Sequence, residues 1–286
     1  MKISIAIPDS TLADCANLRS ATEKVFRLAR SFALFRVSRC IIYRSPLYSQ
    51  KKAKKDRIVL VNLLRYLETP QYLRKRLFHL SPELRHAGSL RPLAMKHHLT
   101  HKEPKNGEIR EGCLFLSPDN VPFLDLGLNN LIKPTKIPNI SLRNRVVRVA
   151  CRIHIKDNKP HIEILETFPY SEHLIQTFDV KETNATLGKM ITGMSSTHIV
   201  ATSRHCQPYW NMSNFIIPKN AKHILFLFGS PQYGLEEILK SENLKISDVA
   251  SVCLNVIPSA ATRSVRLEEA LMLSLFLFRQ QEKQRK

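Results

Sequence analysis

The chain has 286 residues, enough for one large domain or two smaller ones, and its 43% hydrophobic content can fill a proper core. Forty-four Lys and Arg against 24 Asp and Glu give a net charge of +20. Such a charge points to a polyanion, because each phosphate neutralised releases condensed counterions; a plain basic protein or one that touches anionic lipid is the alternative. No segment approaches the roughly 20 apolar residues of a membrane span, which excludes a spanning helix.

The first run, "ISIAI", is closed by Pro8 and Asp9 and is too short for a signal-peptide core, so it reads as a strand. A helix follows over Leu18 to Phe35, where Val25, Leu28, Ala29 and Phe32 fall at i, i+3, i+4 and i+7, and "VSRCIIY" is a second strand. This β-α-β opening predicts a parallel α/β sheet. The basic run "SPLYSQKKAKKDR" has no periodicity and reads as a solvated loop or a phosphate-binding arm; its "KKAKK" would serve as a nuclear address or simply as a basic loop. The expected compartment is the nucleus or nucleolus, with the cytoplasm as the alternative. "IVLVNLLRYLETPQYLRKRLF" returns to helix, broken near Pro70.

From Gly88 to about Glu166 the grammar changes to short β pieces, "GEIREGCLFL", "PFLDLGL", "NRVVRVACRIHIK" and "KPHIEIL", separated by turn residues. That spacing predicts a small inserted β-barrel. Leu126 to Ile162 holds eight Lys or Arg and one carboxylate, Asp157. Arg143, Arg145, Arg148 and Arg152 in it form a charge-guarded strand edge or, preferably, an RNA-facing strand. After Pro169 the α/β pattern resumes. "LIQTFDVKE" and "THIVATS" read as strands flanking a short helix that ends at Gly193. "AKHILFLFG" is a buried parallel strand, a turn and helix follow it, and "VASVCLNVIP" and "SVRLEEALMLSLFLFRQQ" are the last strand and helix. The last helix is apolar around nearly its whole circumference, so burial on several sides, by the sheet and a second subunit, is expected. The domains implied are 1–87 and 167–286 as two parts of one α/β fold, and 88–166 as the insert.

Three strand ends, "ATSRH", "FGSPQYGL" and "NVIPSAATRSV", could converge on one ligand, since open α/β sheets bind beyond the carboxyl ends of their strands. None of them is a GxGxxG or a P-loop, and no GxSxG or HExxH occurs. His97, His98 and His101 lack a carboxylate or cysteine to complete a metal site, so no metal is expected. The six cysteines have no short paired spacing and read as reduced thiols. Glu268 and Glu269 suit a helix amino terminus, whereas Arg263, Arg266, Arg204 and His205, at the mouths of the loops, are placed to meet phosphate.

"FGSPQYGLEE" followed by "LNVIPSAATRSVRLEEALMLSL" resembles the carboxyl-terminal signature of the SPOUT-class, or α/β-knot, RNA methyltransferases. "LRHAGSLRPLAMKHHL", "GEIREG" and "DLGL" are similar to the eukaryotic and archaeal branch that carries an OB-like insertion. The resemblance implies a trefoil-knotted parallel sheet, S-adenosylmethionine as cofactor, a homodimer, and a structured RNA, most plausibly ribosomal, as substrate. Carried over by position, the cofactor would meet Thr202 and Ser203, Phe228, Gly229 and Gly234, then Asn255, Val256, Ile257, Pro258 and Ala261, with Thr262 and Arg263 closing the pocket. The target would be a base, preferably a uridine-type nitrogen, with Arg263 or Arg266 stabilising its anion. The sequence departs from the pattern at Ser230, where relatives commonly have glycine, and at Ala260 and Ala261, where they have Gln-Gly; an alanine resists positive φ. The other readings are an RNA-binding protein that kept the fold without turnover, and a basic scaffold.

Overall fold

A computed structural model of the chain describes residues 1–99, 101–134, 136–137, 146–156, 159–166, 177–194, 197–209, 218 and 221–283. They fall into two compact units, one of residues 1–65, 82–90 and 178–286, the other of residues 66–81 and 91–177.

The first unit is a parallel sheet covered by helices. Its strands are β1 (Lys2–Pro8), β2 (Arg39–Arg44), β7 (Asp179–Thr186), β8 (His198–Thr202), β9 (His223–Leu227) and β10 (Val252–Leu254), in the order β10-β8-β9-β1-β2-β7. Every pairing among them is parallel. Ile3, Ile5, Ala6 and Ile7 of the central strand are fully buried, as two-sided coverage requires. Helix α1 (Leu18–Leu34) starts at an Asn17 capping box, with Ser20 N–H donating to Asn17 Oδ1 at 3.0 Å, and buries the predicted stripe of Val25, Leu28, Ala29 and Phe32. It packs against α7 (Leu267–Lys283). Short helices α4 (Leu187–Thr192), α5 (Leu235–Lys240) and α6 (Ile246–Val249) complete the unit, and Leu187, Leu235, Ile238 and Leu239 join the core over β8 and β9.

One expectation is corrected here. Helix α2 (Gln50–Glu68) takes in the whole "KKAKK" run, which is therefore neither a loop nor a free arm; Ala53 is buried while the four lysines stay exposed, and lysine is a good helix former. The last helix is buried on one side by its own chain. Leu267, Leu271, Ser274, Leu275 and Phe278 face the core, but Met272, Leu273 and Phe276 are 48%, 37% and 46% exposed.

The second unit holds α3 (Gln71–Leu77), set off from α2 at Pro70, and an antiparallel sheet of β3 (Ile109–Leu116), β4 (Pro122–Asp125), β5 (Val146–Lys156) and β6 (Lys159–Leu165), ordered β4-β3-β5-β6. An added bridge from Leu124 to Ile132 makes it half of a barrel among the described residues. One face carries the apolar cluster of Leu114, Leu124, Leu126, Val149, Cys151, Ile153 and Ile164. Tyr72 of α3 lies on Gly127, whose φ is +69° and where an added Cβ would sit 2.4 Å from the Tyr72 ring; its hydroxyl donates to the Glu111 carbonyl at 2.9 Å.

Buried charges are knitted into this unit. Arg110 is the largest fully buried side chain, and its guanidinium donates to Glu108 at 2.7 Å and to the carbonyls of Leu126 and His101 at 3.1 and 2.8 Å. Arg148 forks onto Glu68 and Glu111. Burial pushes the Glu111 carboxyl up, but His97 and Arg148 outweigh it and hold the group below the usual carboxylate range. Burial, reinforced by the neighbouring His97 ring, lowers His98 from 6.5 to about 3, and its Nε2–H donates to the Glu68 carbonyl at 2.9 Å. His97, His98, Glu108, Arg110 and Glu111 of the "HH" and "GEIREG" motifs are thus largely spent on a buried polar network within this unit.

A pH dependence follows. Between pH 6.5 and 3 the unfolded chain carries a proton on His98 that the folded chain excludes, so stability is complete above 6.5 and is lost on acidification. From neutral pH to pH 5 this one group removes about 2 kcal/mol. Urea unfolding of the second unit, followed at both pH values, should show this loss, and His98→Gln should shrink the difference; an unchanged pH dependence in the variant would refute the assignment.

Candidate active site at the carboxyl ends of three strands

The order β10-β8-β9 puts the ends of three adjacent parallel strands side by side, so the loops 203–209, 228–234 and 255–266 are neighbours. Hydrogen bonds join them. Thr202 Oγ1 donates to the Leu227 carbonyl at 3.0 Å, and the Ser203 amide donates to the Leu254 carbonyl at 3.2 Å. Asn255 is the centre of this stitching. Its amide and carbonyl pair with Gln207 and Tyr209 at 3.0 and 3.1 Å, its Nδ2 donates to the Arg204 carbonyl at 2.9 Å, and its Oδ1 accepts from the Ile257 amide at 3.2 Å. Arg204 also reaches the Arg263 carbonyl at 3.4 Å and His205 Nε2 at 3.1 Å.

Cys206 and Cys253 add a covalent tie between the first loop and β10, with Cα atoms 5.5 Å apart. This corrects the expectation of six reduced thiols: the partners are 47 residues apart in sequence, and only the pairing of β10 with β8 brings them together. Cys15, Cys40, Cys113 and Cys151 remain free.

Not every predicted contact faces outward. Phe228 is buried, its amide donates to Ala6 at 3.0 Å, and its carbonyl accepts from the Tyr43 hydroxyl at 2.8 Å, so it builds the floor of the site. Gly229 is needed for packing, because a Cβ there would lie 2.7 Å from the Leu235 amide. Val256 is likewise buried. Ser203, Gly234, Asn255, Ile257, Pro258, Ala261 and Thr262 line the partly or fully exposed rim, and Arg263 and Arg266 are exposed beside them. The Gly234 amide is held by Glu237 Oε2 at 2.7 Å, which caps α5. Ala260 and Ala261 keep negative φ; the left-handed residue is Ser259, at φ +61°. The geometric objection to the two alanines therefore falls away.

Of the insert arginines, Arg143 and Arg145 lie outside the described residues. The guanidinium of Arg148 is spent on Glu68 and Glu111, which withdraws it from the RNA-facing set; Arg152 stays half-exposed, 3.5 Å from Glu163. Glu268, beside the last loop, is buried against Lys24 and Arg27 at 3.7 and 3.9 Å, a structural place. Among the described residues no cluster of His, Cys, Asp and Glu could hold a metal.

Sequence reasoning passed over the groups beneath the loops. Asp9, fully buried at the end of β1, pairs with Arg57 at 2.8 Å and accepts from the Ser45 amide at 3.0 Å. Tyr43 is fully buried, and burial first, then Asp9 and Glu242, raise its hydroxyl well above the ordinary value, so it serves as a donor. A carboxylate directly after an apolar strand was the available signal.

Loops 228–234 and 255–262 contain no charged side chain, and Glu236 approaches Ser203 at 3.5 Å. The inner stretches of these loops are neutral with Glu236 at their edge, which suits a cofactor with a net positive charge, while Arg204, His205, Arg263 and Arg266 place positive charge at the rim.

Residues 2–278 match the family described as "Putative RNA methyltransferase". The chain belongs to that family. A protein of Drosophila melanogaster named 28S rRNA (uridine-N(3))-methyltransferase is 26% identical over 96% of this chain and 61% of its own length, so the chain spans about three-fifths of that relative. The human protein of the same name is 25% identical over 96% of this chain and 76% of its own. An uncharacterised protein of Halobacterium salinarum is 26% identical and is covered over 98% of its length. The SpoU methyltransferase AviRb of Streptomyces viridochromogenes, solved with AdoMet, aligns at a TM-score of 0.38 and 8% identity over 98% of this chain and 58% of that one.

For this methyltransferase-family chain, Tyr43→Phe should leave the buried Phe228 carbonyl unsatisfied and cost about 1–3 kcal/mol in urea unfolding. Asn255→Ala should speed hydrogen exchange at 203–209 and 255–260 together. Exchange unchanged in either segment would show that Asn255 does not couple the loops.

Proposed function

We propose that the chain is an S-adenosylmethionine-dependent RNA methyltransferase that modifies a uridine-type base nitrogen of a structured, ribosomal RNA. The observation that carries the reading is the stitching of the 203–209 and 255–266 strand-end loops around Asn255, beside the adjoining 228–234 loop, in a chain whose family match runs from residue 2 to 278. The proposal includes a threaded, knotted crossing of these loops.

Bound there, S-adenosylmethionine supplies an electrophilic sulfonium methyl carbon. The backbone of 255–262 and the Thr202 and Ser203 end of β8 hold and orient the reactants, which is most of what an in-line methyl transfer needs. The N3–H of uridine lies between two carbonyls, so its loss leaves an anion delocalised over both oxygens. Arg263 and Arg266 are exposed at the rim and stabilise that anion, lowering the cost of ionisation near neutrality. Held there, the cofactor would supply the methyl group and leave as the neutral thioether, while Arg263 and Arg266 would hold the anion whose N3 proton is lost to solvent. Pairing hides N3, so the target nucleotide must be looped out or flipped.

The unit is proposed to work as a homodimer. Met272, Leu273 and Phe276 on α7 and Leu34, 56% exposed on the α1 that packs against it, are apolar side chains that a second copy would cover.

Titration calorimetry should detect S-adenosylmethionine binding, and mass spectrometry of RNA incubated with chain and cofactor should detect methyluridine. Arg263→Ala should lower kcat about 10²–10³-fold with cofactor binding retained. Absence of binding at millimolar cofactor would refute the enzyme reading and leave an RNA-binding protein. Sedimentation equilibrium should give a dimer that Phe276→Glu converts to a monomer; a monomeric parent chain would refute the dimer.

A further inference from the structure

Side chains alternate along β3, so Leu114 enters the apolar cluster and Phe115 points to the opposite face. Phe115 pairs across the ladder with Phe123 of β4 and with Val146 of β5, and the two phenyl rings lie nearly parallel, 26° apart in plane with centroids separated by 6.1 Å. A cation stands at each end of this aromatic row. The Arg76 guanidinium of α3 lies 4.1 Å over the Phe115 ring, and Lys133 Nζ lies 5.7 Å from the Phe123 ring. Arg76 is held in place by Asp125 at 2.5 Å. Beside the row opens a cleft of about 360 Å³, lined by Tyr72, Lys75, Arg76, Phe115, Asp125 and Val146.

A cross-strand phenylalanine pair stabilises a sheet by about 0.2–1 kcal/mol, which accounts for the pairing of the rings. It does not account for two rings left partly open beside a cleft with cations on its rim. Ligand clefts run from about 300 to 1,000 Å³, so this one is of a size for a nucleobase with its sugar. The charge selects the ligand. Asp125 is the one carboxylate of the lining and is spent on Arg76, whereas Lys75 and Lys133 are exposed and available for phosphates. Unpaired bases stack on aromatic rings and on guanidinium planes, and this surface offers both.

We propose that the face of the inserted sheet built by Phe115, Phe123 and Arg76 is a stacking platform for successive unpaired bases of single-stranded RNA, with Lys75 and Lys133 holding the flanking phosphates. It rests on the reading of the chain as an RNA-modifying protein and assigns the insert's contact to stacking, apart from the strand arginines at 143–152. The platform holds a single-stranded stretch of the substrate and is indifferent to most of its sequence, because every base has a π face.

The test uses the full chain and a 12-nucleotide single-stranded RNA carrying fluorescein and one 2-aminopurine. Phe115→Leu and Phe123→Leu keep apolar bulk on the sheet and remove the rings. The double variant should bind at least roughly 30-fold more weakly by anisotropy, given about 1–3 kcal/mol for each of two stacked bases. It should also lose 2-aminopurine quenching, with the slope of log K against log salt unchanged. Phe115→Trp should restore binding. Lys133→Ala should reduce the salt slope by about 1. Leucine variants that bind like the parent, or that weaken a duplex of the same sequence equally, would overturn the platform. Calorimetry with S-adenosylmethionine on the same variants separates the two readings: cofactor binding retained with stacking unaffected sinks the platform alone, and cofactor binding absent in the parent with stacking intact sinks the enzyme alone.

Discussion

A parallel sheet whose central strand is apolar on both faces cannot leave either face in water. β1 is that strand, with Ile3, Ile5 and Ile7 buried on one face and Ala6 on the other, between β9 and β2. From this constraint follow the helices on both sides and the placement of every loop that could do chemistry at the sheet's ends. It also forces hydrogen-bonding groups at those ends to find partners inside the protein. Asp9, Arg57, Ser45 and Tyr43 supply them, and in doing so they fix the Phe228 carbonyl under the loops. The site's shape is therefore set from below by groups that need not touch a ligand.

The inserted sheet answers a different constraint. A four-stranded antiparallel sheet with one modest apolar cluster has little core of its own. Ions fill in on both sides: Arg110 with Glu108 on the Leu114 face, and Arg148 with Glu68 and Glu111 on the other. Taking such groups out of water costs several kcal/mol each, and pairs of this kind rarely exceed an apolar replacement in stability. Removing one partner is nevertheless costly, which makes the network an all-or-none feature. Arg110's hydrogen bonds to the Leu126 and His101 carbonyls fix the register of surrounding loops, and the aromatic row at Phe115 and Phe123 lies on the Arg148 face where those ions do not reach.

Much of the element order was readable. Periodicity located α1 and its buried stripe, the break at Pro70, and the four insert strands, because each pattern is local. The basic run at 51–55 was misread, since a charged stretch carries little periodicity and its single buried contact, Ala53, is invisible without the sheet it packs on. The final helix was legible as a helix but not in its orientation: eight apolar positions in nine residues give no hint which side meets the core. The loops of the candidate site were legible as strand ends, and the resemblance named their residues, but their roles were not. Phe228 and Val256 turned inward, Arg148 was consumed by carboxylates, and the left-handed position fell on Ser259, next to the alanines that looked inconvenient.

The sequence by itself determined the alternation of strands and helices, the interruption by a β-rich insert, and the excess of positive charge, because propensity, patterning and composition act over a few residues or over the chain as a whole. Only the tertiary structure decided which groups meet. Cys206 with Cys253, Asn255 with Gln207 and Tyr209, Tyr43 with Phe228, and Phe115 with Phe123 and Arg76 are all brought together by strand order or register. Those partners are remote or weakly coded in sequence, since a strand states which residues alternate but not which neighbour it will lie beside.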